Sequence, residues 1–173
     1  MSATTTLAVR HVPWSDIWFD EVMAIEQSAY SHPWTRGNFI DSVAAGYHLE
    51  LLLIQDPGHN HGQERVAGYL VAMEGVEEVH LLNITVAPAW QGQGLGTRLL
   101  QALCEWSRQR LAQWLWLEVR ASNTRAQQVY QHFGFKRVGE RKHYYPLSPG
   151  QREDAVVMSL LLRAPRHASG STA

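Results

Sequence analysis

The spacing of apolar positions changes several times along the chain, and each change marks an element. Leu7 to Arg10 is a short apolar run suited to a first strand. Ser15 or Asp16 is placed to cap a helix that turns Ile17, Val22, Met23 and Ile25 inward and ends near Tyr30. Pro33 breaks that pattern, and Thr35 caps a short second helix with Phe39, Ile40 and Val43 on one face. Tyr47 to Ile54 reads as a strand. Gln55 to Glu64 is turn chemistry throughout and predicts a mobile hairpin tip. Arg65 to Met73 and Glu77 to Val86 are β-rich and meet across Glu74-Gly75-Val76, so the centre of the chain reads as an antiparallel meander.

An amphipathic helical run follows, with Leu95, Leu99, Leu100, Leu103 and Leu111 at roughly helical spacing. Trp114 to Val119 is too short and too aromatic for a helix and reads as a strand. Ser122 or Asn123 caps a helix reaching about His132, and Gly134 ends it. Phe135 to Glu140 and Ala155 to Leu162 are the last strands, separated by a loop that contains Arg152, Glu153 and Asp154. Residues 1–163 therefore read as one domain, and the small polar residues 164–173 as a disordered tail. The order of elements predicts an α/β (α+β) fold: a mostly antiparallel, twisted, mixed sheet of about seven strands with helices on both faces.

Composition narrows the function classes. The chain has 173 residues, 45% of them apolar, with seven Trp and six Tyr, enough for one well-filled core. Fifteen Lys and Arg against sixteen Asp and Glu create no chain-wide field for nucleic acid or an anionic membrane. The single Cys104 excludes an internal disulfide and fits a reducing compartment, most simply as a small buried hydrophobe. With no signal-like start and no apolar run of about 18 residues, the expected location is cytoplasmic. His59 and His61 lack the companions a metal site needs, so no metal is expected.

Chemistry enters with Asn83 to Gly96, a strand, a turn and a helix start. Pro88 ends the strand, and Gly92, Gly94 and Gly96 let main-chain amides approach a bulky anion, most simply a phosphate. The spacing Gly-x-Gly-x-Gly is not the dinucleotide fingerprint, and Thr97-Arg98 is not a Walker ending. A glycine-rich turn can also be only a tight turn. Gln91-x-x-Gly94-x-Gly96 after a strand resembles the pyrophosphate loop of the GNAT family of acetyl-CoA-dependent N-acetyltransferases. The element order resembles that family from about Leu7 to Leu162.

Alternation along the 114–120 strand puts Trp114, Trp116, Glu118 and Arg120 on one face. Glu118 is a candidate general base, since aromatic surroundings disfavour the charged form of a carboxylate; equally, it can be a rim glutamate paired with Arg120. Asn123 and Tyr130 lie two helical turns apart on one face, about 10 Å. Tyr130 is a candidate acid for a leaving thiolate, or a ring that only packs. Asn123 is a cap, a ligand contact, or both.

A closer resemblance rests on Ile25-Glu26-Gln27, Pro33-Trp34-Thr35, Asn83-Ile84-Thr85-Val86, Gln91 through Gly96, Leu115 through Asn123 with Tyr130 and Gly134-Phe135, Tyr144-Tyr145-Pro146, and Glu153-Asp154-Ala155. These blocks resemble the RimI-type alanine N-acetyltransferases. The resemblance implies Glu118 as proton acceptor and Tyr130 as proton donor. It implies acetyl-CoA contacts from Ile84, Thr85, Val86, Gly92, Gln93, Gly94, Leu95, Gly96, Thr97 and Asn123, and the N-terminal alanine of a small-subunit ribosomal protein as acceptor. No metal, nucleic acid or membrane partner is expected, and a monomer is favoured. The long 55–64 loop and the tail after Arg163 depart from the pattern. A substrate tail rich in arginine would favour acidic walls, for which Glu26, Asp41, Glu74, Glu77 and Glu78 are available, but such residues more often simply solvate a surface. Two other functions stay open: a GNAT enzyme acting on a lysine side chain or small amine, and a non-catalytic acetyl-CoA-binding regulator.

Overall fold

The computed structural model describes residues 8–55 and 63–162. Seven strands, β1 (Val9–Pro13), β2 (His48–Gln55), β3 (Glu64–Glu74), β4 (Glu78–Val86), β5 (Trp114–Arg120), β6 (Lys136–Ser148) and β7 (Gln151–Leu161), form a sheet in the order β1-β2-β3-β4-β5-β7-β6. Four helices accompany them: α1 (Phe19–Ala29), α2 (Arg36–Ala44), α3 (Leu95–Gln109) and α4 (Thr124–Phe133). The expected mixed α/β fold with a seven-stranded, mostly antiparallel sheet is the one observed. The described residues divide into two compact units, 8–55 and 63–74 with 81–102, and 75–80 with 103–162. The tip at 56–62 and the tail at 163–173 lie outside the described residues.

In the first unit, β1 and β2 pair antiparallel from Val9↔Ile54 to Pro13↔Glu50, and β2 pairs antiparallel with β3 through a register shift at Leu52/Leu53. The core gathers Phe19, Val22 and Ile25 of α1, Phe39 of α2, and Leu49, Leu51, Leu53, Val66, Tyr69 and Val71 of the strands. Phe39 is its hub, with ring centroids of Trp34, Tyr69 and Trp14 at 5.3, 5.8 and 6.0 Å. Thr35 caps α2 as expected, in a reciprocal arrangement with Asn38. Only Phe39 and Ser42 of that helix are buried; Ile40 and Val43 face outward, because a two-turn helix pinned by one aromatic hub has a narrow inner stripe. Ile17 is exposed as well. It belongs to a separate 3₁₀ turn, Asp16–Trp18, which puts it out of phase with Val22 and Ile25. At Gly68 on β3 a Cβ would stand 2.7 Å from the Thr85 carbonyl oxygen, so that crossing requires glycine.

In the second unit, β7 pairs antiparallel with β5, from Trp114↔Leu161 to Arg120↔Ala155, and with β6 on its other side. The loop expected between Glu140 and Ala155 is instead the far half of a β6–β7 hairpin. Its register slips three times, and His143 takes a φ of 50° at the second slip, so no clean alternation betrays it. Pro146 is tolerated because β6 is an edge strand. Leu111 lies past the end of α3 at a φ of 63° and is exposed rather than part of the apolar stripe.

Candidate active site

The first unit carries all the cofactor-binding candidates except Asn123, which belongs to the second. Along β4, Asn83 and Thr85 are buried while Ile84 and Val86 are half-buried on the alternate face. After β4 a 3₁₀ turn, Pro88–Trp90, leads into the glycine loop, and Gln91 steadies it by donating from Nε2 to the Val86 carbonyl at 3.1 Å. Gly92 and Gly94 have φ of 76° and 79°, and a Cβ on either would meet none of the described residues within 4 Å. Glycine at these two positions serves the left-handed backbone, and residues 91–94 are exposed. Arg98 donates its N–H to the Gly94 carbonyl at 3.1 Å, closing the first turn of α3, so the amides of Leu95, Gly96 and Thr97 precede the helical ladder. An exposed loop of amides at a helix start fits the phosphates of a CoA thioester.

The same unit holds a group that sequence reasoning placed on the surface. Glu26 is 1% exposed. Its Oε1 accepts from the Trp34 N–H at 2.7 Å, and its Oε2 accepts from the Tyr69 hydroxyl and from Asn83 Nδ2 at 3.1 Å. Thr85 Oγ1 donates to Asn83 Oδ1 at 2.8 Å, and the Tyr30 hydroxyl lies 2.8 Å from Thr85 Oγ1 and 3.1 Å from the Ile84 carbonyl oxygen. Burial first, then the charge of Glu26, pushes the Tyr69 phenol far above its usual range. A signal for this was present: Glu26 follows Val22 and Ile25 at i+4 and i+1 on the apolar stripe of α1, and Asn83 and Thr85 occupy inward positions of β4.

The second unit carries the proton-transfer candidates. Burial alternates along β5 as expected, with Leu115, Leu117 and Val119 buried and Trp116, Glu118 and Arg120 half-buried on the other face. Glu118 does not pair with Arg120. Its Oε1 accepts from Arg141 Nε at 3.0 Å, while Arg120 donates to Glu153 Oε1 at 2.7 Å. The Glu118 side chain is 15% exposed and that of Arg141 55%, so this ion pair opens on solvent. Tyr145 donates its hydroxyl to the Glu118 main-chain oxygen at 3.0 Å, and burial, reinforced by the Glu118 charge, holds that phenol above its usual range. Burial also acts to raise Glu153, but the bonds from Arg120 and Ser122 outweigh it and hold the carboxyl below its usual range. Trp116 Nε1 is buried and has no hydrogen-bond partner among the described residues.

Asn123, not Ser122, caps α4: its Oδ1 accepts from the Ala126 N–H at 3.1 Å. Tyr130 is half-buried seven residues on, its ring 5.8 Å from that of Phe135 in an edge-on contact. Cys104 is buried, and burial pushes its thiol above the ordinary value. No group of three or more His, Cys, Asp and Glu able to hold a metal occurs among the described residues, and His59 and His61 fall outside them. Among the described residues no helix is long and apolar enough to cross a membrane.

An amide-rich loop after a strand, in a seven-stranded mixed sheet, is an arrangement that suits the phosphates of a CoA thioester. Comparison with known proteins agrees. The acetyltransferase (GNAT) family matches residues 19–135, and the chain belongs to that family. The "[Ribosomal protein bS18]-alanine N-acetyltransferase" of Haemophilus ducreyi is 38% identical over 144 residues, covering 83% of this chain and 94% of the relative. The crystal structure of the ribosomal-protein-S18-alanine N-acetyltransferase from Escherichia coli superposes with a TM-score of 0.78 at 30% identity, over 96% of this chain and 99% of that one. Arabidopsis thaliana NAA60 in complex with acetyl-CoA shares the fold, with a TM-score of 0.75 at 15% identity over 89% and 98% of the two chains.

Proposed function

We propose that the protein transfers the acetyl group of acetyl-CoA to the N-terminal alanine amine of a small-subunit ribosomal protein, the bS18 class of acceptor on which its relatives act. The observation that carries this reading is the 38% identity to a bS18-alanine N-acetyltransferase along nearly that relative's whole length. In this reading the amides of Gly92 through Thr97 hold the pyrophosphate, and the main chain of Ile84, Thr85 and Val86 pairs with the extended pantetheine and polarises the thioester carbonyl. Asn123 contributes a cofactor contact while capping α4.

The amine nitrogen attacks the thioester carbon, a C–N bond forms and the C–S bond breaks. Glu118 accepts the proton lost by the amine, directly or through water, and Tyr130 supplies the proton taken up by the departing sulfur. A phenol that titrates near ~10 stays protonated until a thiolate of conjugate-acid pKa near ~8.5 leaves. No acetyl-enzyme forms. The reading takes residues 1–163 as one domain working as a cytoplasmic monomer, without metal or nucleic acid.

Peptides that begin with alanine, with the α-amine free or blocked and with or without an internal lysine, test it. After incubation with acetyl-CoA, mass spectrometry locates the added group. The expected product carries one acetyl on the free α-amine; equal rates on blocked lysine peptides would move the acceptor to a side chain, and absence of CoA release with every amine would leave only a binding module.

A further inference from the structure

A file of polar side chains in the first unit runs from Glu26 to the hydroxyl of Tyr30, and the direction of each bond in it is forced. A carboxylate offers only acceptors, so Asn83 turns its Nδ2 toward Glu26 at 3.1 Å. That leaves Asn83 Oδ1 facing the Thr85 hydroxyl at 2.8 Å, and since an amide oxygen cannot donate, Thr85 gives its proton there. Tyr30 Oη then meets two acceptors, Thr85 Oγ1 at 2.8 Å and the Ile84 carbonyl oxygen at 3.1 Å, and must aim its single proton at them. Burial, the largest influence, and the charge of Glu26 keep this phenol above its ordinary 10.0 despite the bond to Thr85, so the proton stays in place. What Tyr30 has left to offer a newcomer is a lone pair. The residue keeps 38% of its surface exposed, so part of the side chain borders solvent although the phenol itself is set inward.

We propose that Tyr30 is a further substrate-binding residue, whose oxygen accepts one N–H of the attacking amine beside Ile84 and Thr85, and that Glu26 is the positioning residue that fixes this polarity through Asn83 and Thr85. The inference rests on the reading that the thioester lies along β4. A neutral primary amine has two N–H groups. One proton is lost to the base during attack, and the second is the one Tyr30 holds. A neutral secondary amine has a single N–H and cannot serve both.

The test compares kcat/KM on two peptides that differ only in their first residue, alanine or N-methylalanine. Tyr30→Phe should lower kcat/KM on the alanine peptide about tenfold while changing the N-methylalanine value little, so the preference narrows by about that factor. Glu26→Gln, which replaces an acceptor by a mixed donor and acceptor, should narrow the preference similarly, and the double variant should narrow it no further. A merely structural role would lower both peptides together and leave the ratio unmoved, and that result overturns the inference while the acetyl-transfer reading stands. A wild-type enzyme inert toward every amine overturns both. If Glu26→Gln does not fold, the ratio measured with Tyr30→Phe decides alone.

Discussion

Two carboxylates, one in each compact unit, show what burial does to a glutamate. Glu26 is 1% exposed and receives three neutral donors, from the Trp34 amide, the Tyr69 hydroxyl and the Asn83 side chain. Glu118 keeps 15% of its side chain in solvent and has a half-exposed cation, Arg141, on one oxygen. The first is held on both oxygens by groups fixed in a helix-end segment and two strands. Its neighbours would all have to move before it could take a proton from a substrate. In the proposed mechanism the second gives up its pair with Arg141, whose side chain is 55% exposed, when a substrate ammonium arrives. A carboxylate buried among neutral donors thus organises its surroundings, whereas one paired with a half-exposed cation is the easier to recruit in the proposed mechanism.

Substitutions sharpen or break that contrast. The largest expected effect is on turnover: Glu118→Gln should lower kcat by about 10²–10⁴-fold, the usual range for a lost general base, with acetyl-CoA affinity nearly intact by calorimetry. Unchanged turnover would remove Glu118 from the mechanism. Next comes stability. Glu26→Ala leaves buried donors without acceptors and should cost about 3 kcal/mol, seen as a drop in Tm of roughly 10 °C, whereas the corresponding Glu118→Ala change should shift Tm little. Equal shifts would erase the distinction between the two residues.

A smaller effect is expected at Gly94, where alanine must adopt a φ of 79° in open space. The strain of about 1 kcal/mol should raise the KM for acetyl-CoA roughly fivefold and leave kcat on the peptide nearly unchanged. The smallest concerns Cys104, whose thiol burial pushes above its ordinary 9.0. Both folded and unfolded chains hold the thiol protonated below pH 9, so this group's contribution is intact there. As pH rises past 9 the unfolded chain ionises first, and stability is lost progressively until the folded thiol ionises too. Alkylation of the folded enzyme should therefore be slow at neutral pH, with a modest decline of Tm under alkaline conditions that Cys104→Ala removes.

Much of this was legible because local chemistry decided it. Thr35 and Asn123 cap helices whose starts their own neighbours dictate, and β5 alternates cleanly because one of its faces is buried. The glycine loop was legible for the same reason, being a backbone requirement written in residue type. What was hidden depends on partners distant in sequence. Glu26 resembled any surface acid until Tyr69 and Asn83, 43 and 57 residues away, supplied its donors. Arg141, not Arg120, reaches Glu118 because β6 and β7 pair with shifted register, which no local pattern records. The far half of that hairpin was read as a loop because its exposed, Pro-containing edge strand lacks an apolar face.

In the proposed mechanism the acetyl group passes straight from thioester to amine without resting on the protein. Intact-mass spectrometry of the enzyme, first with acetyl-CoA alone and then with an alanine-starting peptide, tests this most directly. The expected spectra show an unmodified enzyme at both stages and a peptide carrying one acetyl on its α-amine. An enzyme that gains one acetyl on Cys104 from acetyl-CoA alone, and then yields it to the peptide, would contradict direct transfer.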